Sequence, residues 1–223
     1  MDYTRIKDYL LSLEGEEDSF LSELRDRAEL ANVPIIRRET ESLLRTLTVL
    51  KRPRKILEIG TAVGYSAIVM EKAMGGFCPI ITVESYEKRI PEALGNIRNA
   101  GFQGVINLLF EDAGEALKAL MESGIHSPEI NAGFDLVFMD AAKGQYLNWL
   151  PMVLELMNTG GLLICDNVLQ DLTVMESRFT VERRDRTIHE RMRAFLREIK
   201  TCDRLESSVI SMGDGVSISV KLK

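Results

Sequence analysis

Ile56-Leu57-Glu58-Ile59-Gly60-Thr61-Ala62-Val63-Gly64-Tyr65-Ser66 is the stretch whose reading decides the fold. A short apolar run passes through two glycines into a segment of helical character. Glycine lets the backbone turn sharply and come close to a ligand, because no Cβ stands in the way. Two glycines alone are a weak signal, and an ordinary tight strand-to-helix turn would look the same. Glu84 adds weight, because it ends the next apolar run, where a carboxylate can accept hydrogen bonds from both hydroxyls of a ribose. A dinucleotide fingerprint would carry further glycines near Ala62 and Tyr65, to admit a pyrophosphate at the helix N-terminus. They are absent, which speaks against an NAD-dependent oxidoreductase. The turn suits a nucleoside without phosphates, of which S-adenosylmethionine is the common one.

Working outward, short apolar runs at Lys55–Ile59, Ile80–Val83, Val105–Phe110, Leu136–Met139 and Leu162–Cys165 alternate with helix-length segments at Gly64–Met74, Tyr86–Ala100, Ala113–Ser123 and Tyr146–Met157. Such alternation predicts βαβ units, hence an α/β fold with a mainly parallel, doubly wound sheet. At the C-terminal end, Leu205–Ser211 and Val216–Leu222 flank the turn signal Met212-Gly213-Asp214-Gly215, which predicts an antiparallel hairpin and brings the sheet to seven strands. Before the first strand, apolar residues recur at helical spacing through Leu10, Leu11 and Leu13, through Phe20, Leu21, Leu24, Ala28 and Leu30, and through Leu43, Leu44, Leu47 and Leu50, with a break at Asn32-Val33-Pro34. With no internal repeat or linker, residues 1–223 read as one domain, a helical N-terminal cap over 1–52 and a Rossmann-like core over 53–223.

Ligands of such sheets sit at the carboxyl ends of the strands. Phe138-Met139-Asp140 ends one run and Ile164-Cys165-Asp166-Asn167 the next, so neighbouring parallel strands carry Asp140, Asp166 and Asn167 into one small volume. Two carboxylates and one amide suit a hard cation such as Mg²⁺, although each acid alone is more often a helix cap. Lys143 follows Asp140 by three residues and is a candidate general base, with a surface lysine as the plain alternative. Glu111-Asp112-Ala113 follows the third run, where a side chain can reach an adenine, and Asp112 can equally cap a helix.

The chain of 223 residues is 45% hydrophobic and 28% charged, with a net charge of −6. That balance excludes indiscriminate polyanion binding, and no apolar stretch reaches the roughly 20 residues of a membrane span. Met1-Asp2-Tyr3-Thr4-Arg5 lacks the apolar core of a secretory signal, so the expected address is cytoplasmic. Cys78, Cys165 and Cys202 are odd in number and set among apolar neighbours, which predicts reduced thiols rather than disulfides or a zinc site.

With these residues placed, the chain resembles the cation-dependent O-methyltransferases, the group of catechol and caffeoyl-coenzyme A O-methyltransferases. The likeness runs through Pro34-Ile35-Ile36, Glu58 to Ser66, Val83-Glu84, Asp112-Ala113, Asp140-Ala141-Ala142-Lys143 and Asp166-Asn167. It implies a class I methyltransferase fold, S-adenosylmethionine contacted by Ile36, Gly60, Ser66, Glu84, Asp112, Ala113 and Asp140, and Mg²⁺ on Asp140, Asp166 and Asn167. Lys143 matches the family's base, and a homodimer is the assembly the resemblance implies. A non-enzymatic nucleotide-binding protein on the same fold is the competing class, and the intact acid, amide and lysine set speaks against it.

From Arg178 to Glu198 seven arginines face four acids, Glu182, Asp185, Glu190 and Glu198, inside an acidic protein. Ile188, Met192, Phe195, Leu196 and Ile199 fit one apolar helix face, which leaves a solvated charged face as the plain reading. Arginines beside an active site also suit phosphates. The stretch is similar to bacterial members that methylate 5-hydroxyuridine at the tRNA wobble position, and that base presents a hydroxyl beside a carbonyl as a catechol presents two hydroxyls. The expected substrate is therefore a tRNA anticodon loop, contacted by Arg178, Arg183, Arg184, Arg186 and His189, with a partly buried ring capping local backbone as the equal alternative for His189. A small catechol or a phenolic acyl-CoA is the alternative.

Overall fold

A computed structural model describes residues 3–13, 15, 18–124, 133–170, 172–177 and 179–223. Seven strands form one sheet: β1 (Ile56–Ile59), β2 (Ile80–Glu84), β3 (Ile106–Phe110), β4 (Phe134–Met139), β5 (Met157–Cys165), β6 (Leu205–Ile210) and β7 (Val216–Lys221). Their spatial order is β3-β2-β1-β4-β5-β7-β6. Strands β1 to β5 run parallel, and β7 lies antiparallel between β5 and β6. The predicted α/β class, the seven strands and the terminal hairpin are all present.

Central strands β1 and β4 are buried along their whole length, as a parallel sheet covered on both faces requires. Side chains alternate between two cores, following the two-residue period of a strand. Leu57, Ile59, Val137 and Met139 meet α6 (Ala113–Glu122), α7 (Tyr146–Leu156) and α8 (Arg186–Thr201) through Leu117, Val153 and Phe195. Ile56, Leu136 and Phe138 meet α2 (Ser19–Leu30), α3 (Arg38–Lys51) and α4 (Tyr65–Ala73) through Leu24, Leu44 and Ile68. The remaining helices are α1 (Tyr3–Ser12) and α5 (Ile90–Asn99). Helix α2 begins where it does because the Asp18 carboxylate accepts from the Leu21 N–H at 3.1 Å, satisfying one donor that the first turn leaves open.

Several boundaries differ from the sequence reading for local reasons. The segment predicted as one helix from Tyr86 opens with a 3-10 turn at Glu87–Arg89. Strand β5 starts at Met157, ahead of the predicted Leu162, because Asn158-Thr159-Gly160-Gly161 continues as strand with Gly160 at φ +75°. In the N-terminal helices Leu21, Leu24, Ala28 and Leu44 are buried, whereas Leu10, Leu13, Leu30 and Leu50 face outward. On α8, His189 is buried beside Met192, Phe195 and Ile199, and Ile188 lies at the surface. Among the described residues no helix is long and apolar enough to cross a membrane.

Candidate active site

The strand order reverses between β1 and β4, and the crevice beyond their carboxyl ends is a cavity of about 1040 Å³. Gly60 leaves β1 at φ +107°, and a Cβ there would stand 2.2 Å from the Asp140 carbonyl oxygen. Glycine is thus required for the ends of β1 and β4 to close on each other. Gly64 (φ +85°) then starts α4, a backbone conformation that costs other residues. The Glu84 carboxylate is pinned from both sides, accepting from the Ala62 N–H at 2.8 Å on one oxygen and from the Ser85 and Tyr86 N–H groups at 3.0 and 2.8 Å on the other.

Beneath the turn lies Glu58, which is 0% exposed. Its two oxygens accept from the hydroxyls of Ser66 and Thr82, each at 2.5 Å, and the Thr82 hydroxyl meets that of Thr61 at 2.6 Å. Burial, opposed by these hydrogen bonds, pushes the Glu58 carboxyl up to about 7. Ser66 therefore lines the cavity while its hydroxyl is turned to Glu58. Asp112 also fulfils both of its readings, lining the cavity and capping α6 through the Gly114 N–H at 2.8 Å. Ala113 lies beside it on the cavity wall, which Trp149 of α7 also lines.

Opposite the turn is the acidic end. The Asp140 N–H donates to the Ile59 carbonyl at 2.9 Å and the Asp166 N–H to the Met139 carbonyl at 3.0 Å, so the sheet ladder itself sets the two acids side by side. Asp166 is 1% exposed, and among the described residues its Oδ1 accepts from the Asn167 N–H at 2.8 Å. Burial first, then the charge of Asp140, pushes the Asp166 carboxyl up to about 7. Lys143 Nζ lies 2.5 Å from Asp140 Oδ1 and 3.2 Å from the Tyr146 hydroxyl, which is itself buried and donates to the Met139 carbonyl at 2.9 Å. Two neighbouring carboxylates on one cavity wall, one of them buried, fit a cation. The set is two acids and the Asn167 amide. Among the described residues no group of three or more His, Cys, Asp or Glu side chains is placed to hold a metal.

All ten residues predicted for cofactor, metal and base, namely Ile36, Gly60, Ser66, Glu84, Asp112, Ala113, Asp140, Lys143, Asp166 and Asn167, line this one cavity. The described residues among the predicted RNA contacts, Arg183, Arg184, Arg186 and His189, do not. Arg178 lies outside the described residues. Arg183 is exposed, and Arg184 pairs with Glu182 at 3.0 Å and Asp185 at 3.5 Å. Arg186 donates to the Val181 carbonyl at 3.2 Å. His189 is 2% exposed, with its ring against the Glu176 carbonyl at 3.3 Å. It is an interior strut, and its assignment to a phosphate is corrected accordingly. Arg191 does reach the site's border, donating to the carbonyl of Gly144 beside Lys143 at 3.1 Å.

Other participants were not singled out from sequence. Arg25 of α2 is buried and donates to the Ile36 carbonyl (3.1 Å), Glu41 (2.8 Å) and the Tyr65 hydroxyl (3.0 Å), so the N-terminal cap fixes the loop over the cavity. Arg37 and Asp214 line the cavity as a pair, 2.6 Å apart. The sequence offered no signal for partners so far apart along the chain. Cys78 and Cys165 are buried and do not line the cavity, and burial pushes each thiol up to about 12.

The sheet order, glycine turn and strand-end acids define a Rossmann-like methyltransferase of class I. The model of the O-methyltransferase family matches residues 12–222, and the chain belongs to that family. It is 31% identical over 181 residues to a catechol O-methyltransferase of Niastella koreensis, covering 80% of this chain and 79% of that one. It is 28% identical over 197 residues to a flavonoid 3',5'-methyltransferase of Vitis vinifera, covering 86% and 80%. Among solved structures, an O-methyltransferase of Bacillus cereus in complex with SAH shares the fold at a TM-score of 0.84, with 24% identity over 97% of each chain.

Proposed function

We propose that this O-methyltransferase transfers the methyl group of S-adenosylmethionine to a hydroxyl that has a second oxygen beside it, with a divalent cation, expected to be Mg²⁺, at Asp140, Asp166 and Asn167. The observation that carries this reading is the buried Asp166 carboxylate next to Asp140, Asn167 and Lys143 in one cavity. A cation bound there would draw two neighbouring acceptor oxygens together and favour ionisation of one of them. The cofactor falls to the residues around the glycine turn. Glu84, pinned by three backbone N–H groups, offers its remaining lone pairs to a ribose, while Ile36, Gly60, Ser66, Asp112, Ala113 and Asp140 form the rest of the cofactor wall. Lys143 is the base. Paired with Asp140 at the cavity wall, its amine, once it has given up its own ammonium proton to solvent, would take the proton of the acceptor hydroxyl, leaving the oxygen to bond the methyl carbon as the carbon–sulfur bond of the sulfonium breaks.

The acceptor we favour is 5-hydroxyuridine in a tRNA anticodon loop. Arg183 and Arg184 support it, because both are exposed on the segment that enters α8, and α8 reaches the Lys143–Gln145 turn through Arg191. A small catechol or phenolic acyl-CoA is the second reading, favoured by the catechol O-methyltransferase at 31% identity. The discriminating experiment assays Arg183→Glu with Arg184→Glu on 5-hydroxyuridine tRNA and on a free catechol. The RNA reading expects a loss confined to tRNA, and equal losses would end it. Pairing of two chains belongs to the same proposal, supported by the exposed Tyr9 and Leu10 of α1 and Leu13 just beyond it.

A further inference from the structure

The turn between β6 and β7 reaches the cation site from the far end of the chain. Two backbone bonds tie it to the segment after Asn167: the Val168 N–H donates to the Gly215 carbonyl at 2.9 Å and the Leu169 N–H to the Asp214 carbonyl at 2.8 Å. Packing makes the fit tight. A Cβ on Gly215 would stand 2.3 Å from Leu169 Cγ, and one on Gly213 would stand 3.4 Å from Arg37 Cδ. Asp214 is thereby delivered between Arg37, 2.6 Å away at the entry to α3, and Asn167, whose side-chain Nδ2 donates to Asp214 Oδ2 at 3.4 Å.

We propose that Asp214, held by Arg37, is a positioning residue that fixes the Asn167 amide with its nitrogen turned away from the cation and its oxygen free to ligate. The reasoning is chemical. An amide has nearly the same shape in both flipped orientations, but a carboxylate can accept only from the –NH₂ end. Asp214 therefore sets which end of Asn167 is left for the cavity that both residues line. Asn167 also stands at φ +56°, a left-handed conformation that asparagine tolerates better than most residues, so its backbone is as constrained as its side chain. Arg37 completes the device by balancing the charge of Asp214, so the acceptor does not add an unpaired negative charge beside Asp140 and Asp166. Outer partners of this kind orient metal ligands and tune affinity. The two ends of the fold meet here, the N-terminal cap through Arg37 and the C-terminal hairpin through Asp214.

This inference rests on the reading of Asp140, Asp166 and Asn167 as the cation site, and the test separates the two. Mn²⁺ binding is measured by the loss of the free-ion paramagnetic resonance signal, on intact protein saturated with S-adenosylhomocysteine. If wild-type protein binds no Mn²⁺, the cation site itself is refuted and this proposal with it. If wild type binds, Asp214→Ala is expected to weaken Mn²⁺ about tenfold or more, the range for loss of an outer partner, with S-adenosylhomocysteine affinity unchanged. In cation-free protein the Asn167 side-chain –NH₂ resonance of Asp214→Ala should exchange with water faster than in wild type. In an Asn167→Asp background, where the ligand has an oxygen on either side, Asp214→Ala should bring no further loss. Unchanged Mn²⁺ affinity in Asp214→Ala, or equal losses in both backgrounds, would overturn the positioning role while leaving the cation site standing.

Discussion

Replacing Glu58 with glutamine probes the buried network under the glycine turn and has a pH signature of its own. The carboxyl is fully buried and raised from an ordinary 4.5 to about 7, by burial before any other cause. Because the folded value lies above the unfolded one, the stability this group contributes is present below about pH 4.5 and is lost as pH rises through about 7. At roughly 1.4 kcal/mol per pH unit, the raised carboxyl lowers folding stability by about 3 kcal/mol at about pH 8 and by only about 1 kcal/mol at about pH 5.5, relative to a group protonated in both states. Glutamine keeps the shape and can serve both hydroxyls, which rotate to donate or accept. Glu58→Gln should therefore gain about 2 kcal/mol on wild type between those two pH values, near 5 °C in melting temperature for a chain of this size. The assay is urea unfolding of both proteins, without cation or cofactor, at the two pH values. Asp166 titrates in the same range but is present in both proteins, so it drops out of the comparison. A difference between the proteins that stays constant with pH would refute the reasoning.

Two further substitutions test how the site is built. Gly60→Ala should cost about 3 kcal/mol or more, since strain at φ +107° adds to a 2.2 Å approach to the Asp140 carbonyl that no side-chain movement relieves; a thermal melt like that of wild type would contradict the close strand-end packing. Arg25→Ala leaves Glu41 buried without its arginine on α2 and should destabilise by about 3 kcal/mol while loosening the Ile36 loop, read as weaker S-adenosylhomocysteine binding in calorimetry.

What the sequence makes legible follows from distance along the chain. The strand-turn-helix at Ile56–Ser66 and the acids at the ends of β4 and β5 are local patterns, and their convergence follows from the parallel sheet that the same patterns predict. Arg25 with Glu41 and Tyr65, or Arg37 with Asp214, joins elements whose docking no local pattern specifies. Helix α8 shows a subtler limit. Hydrophobic periodicity turns Ile188 inward, whereas the structure buries the polar His189, whose Nε2 meets the Glu176 carbonyl while its buried Nδ1 has no hydrogen-bond partner among the described residues. The arginine count was visible too, but Arg184, Arg186 and Arg191 are partly engaged by neighbouring acids and carbonyls that composition does not reveal.

The central claim is methyl transfer through a cation held at the strand ends, and Asp166→Ala tests it most directly. Methyl transfer from labelled S-adenosylmethionine to a catechol and to 5-hydroxyuridine tRNA is measured with excess Mg²⁺ and again with a chelator. Wild type is expected to work on at least one acceptor only with Mg²⁺, and Asp166→Ala to lose about a hundredfold or more even with Mg²⁺ in excess, while still binding S-adenosylhomocysteine. Full activity of Asp166→Ala in the presence of the chelator would contradict it.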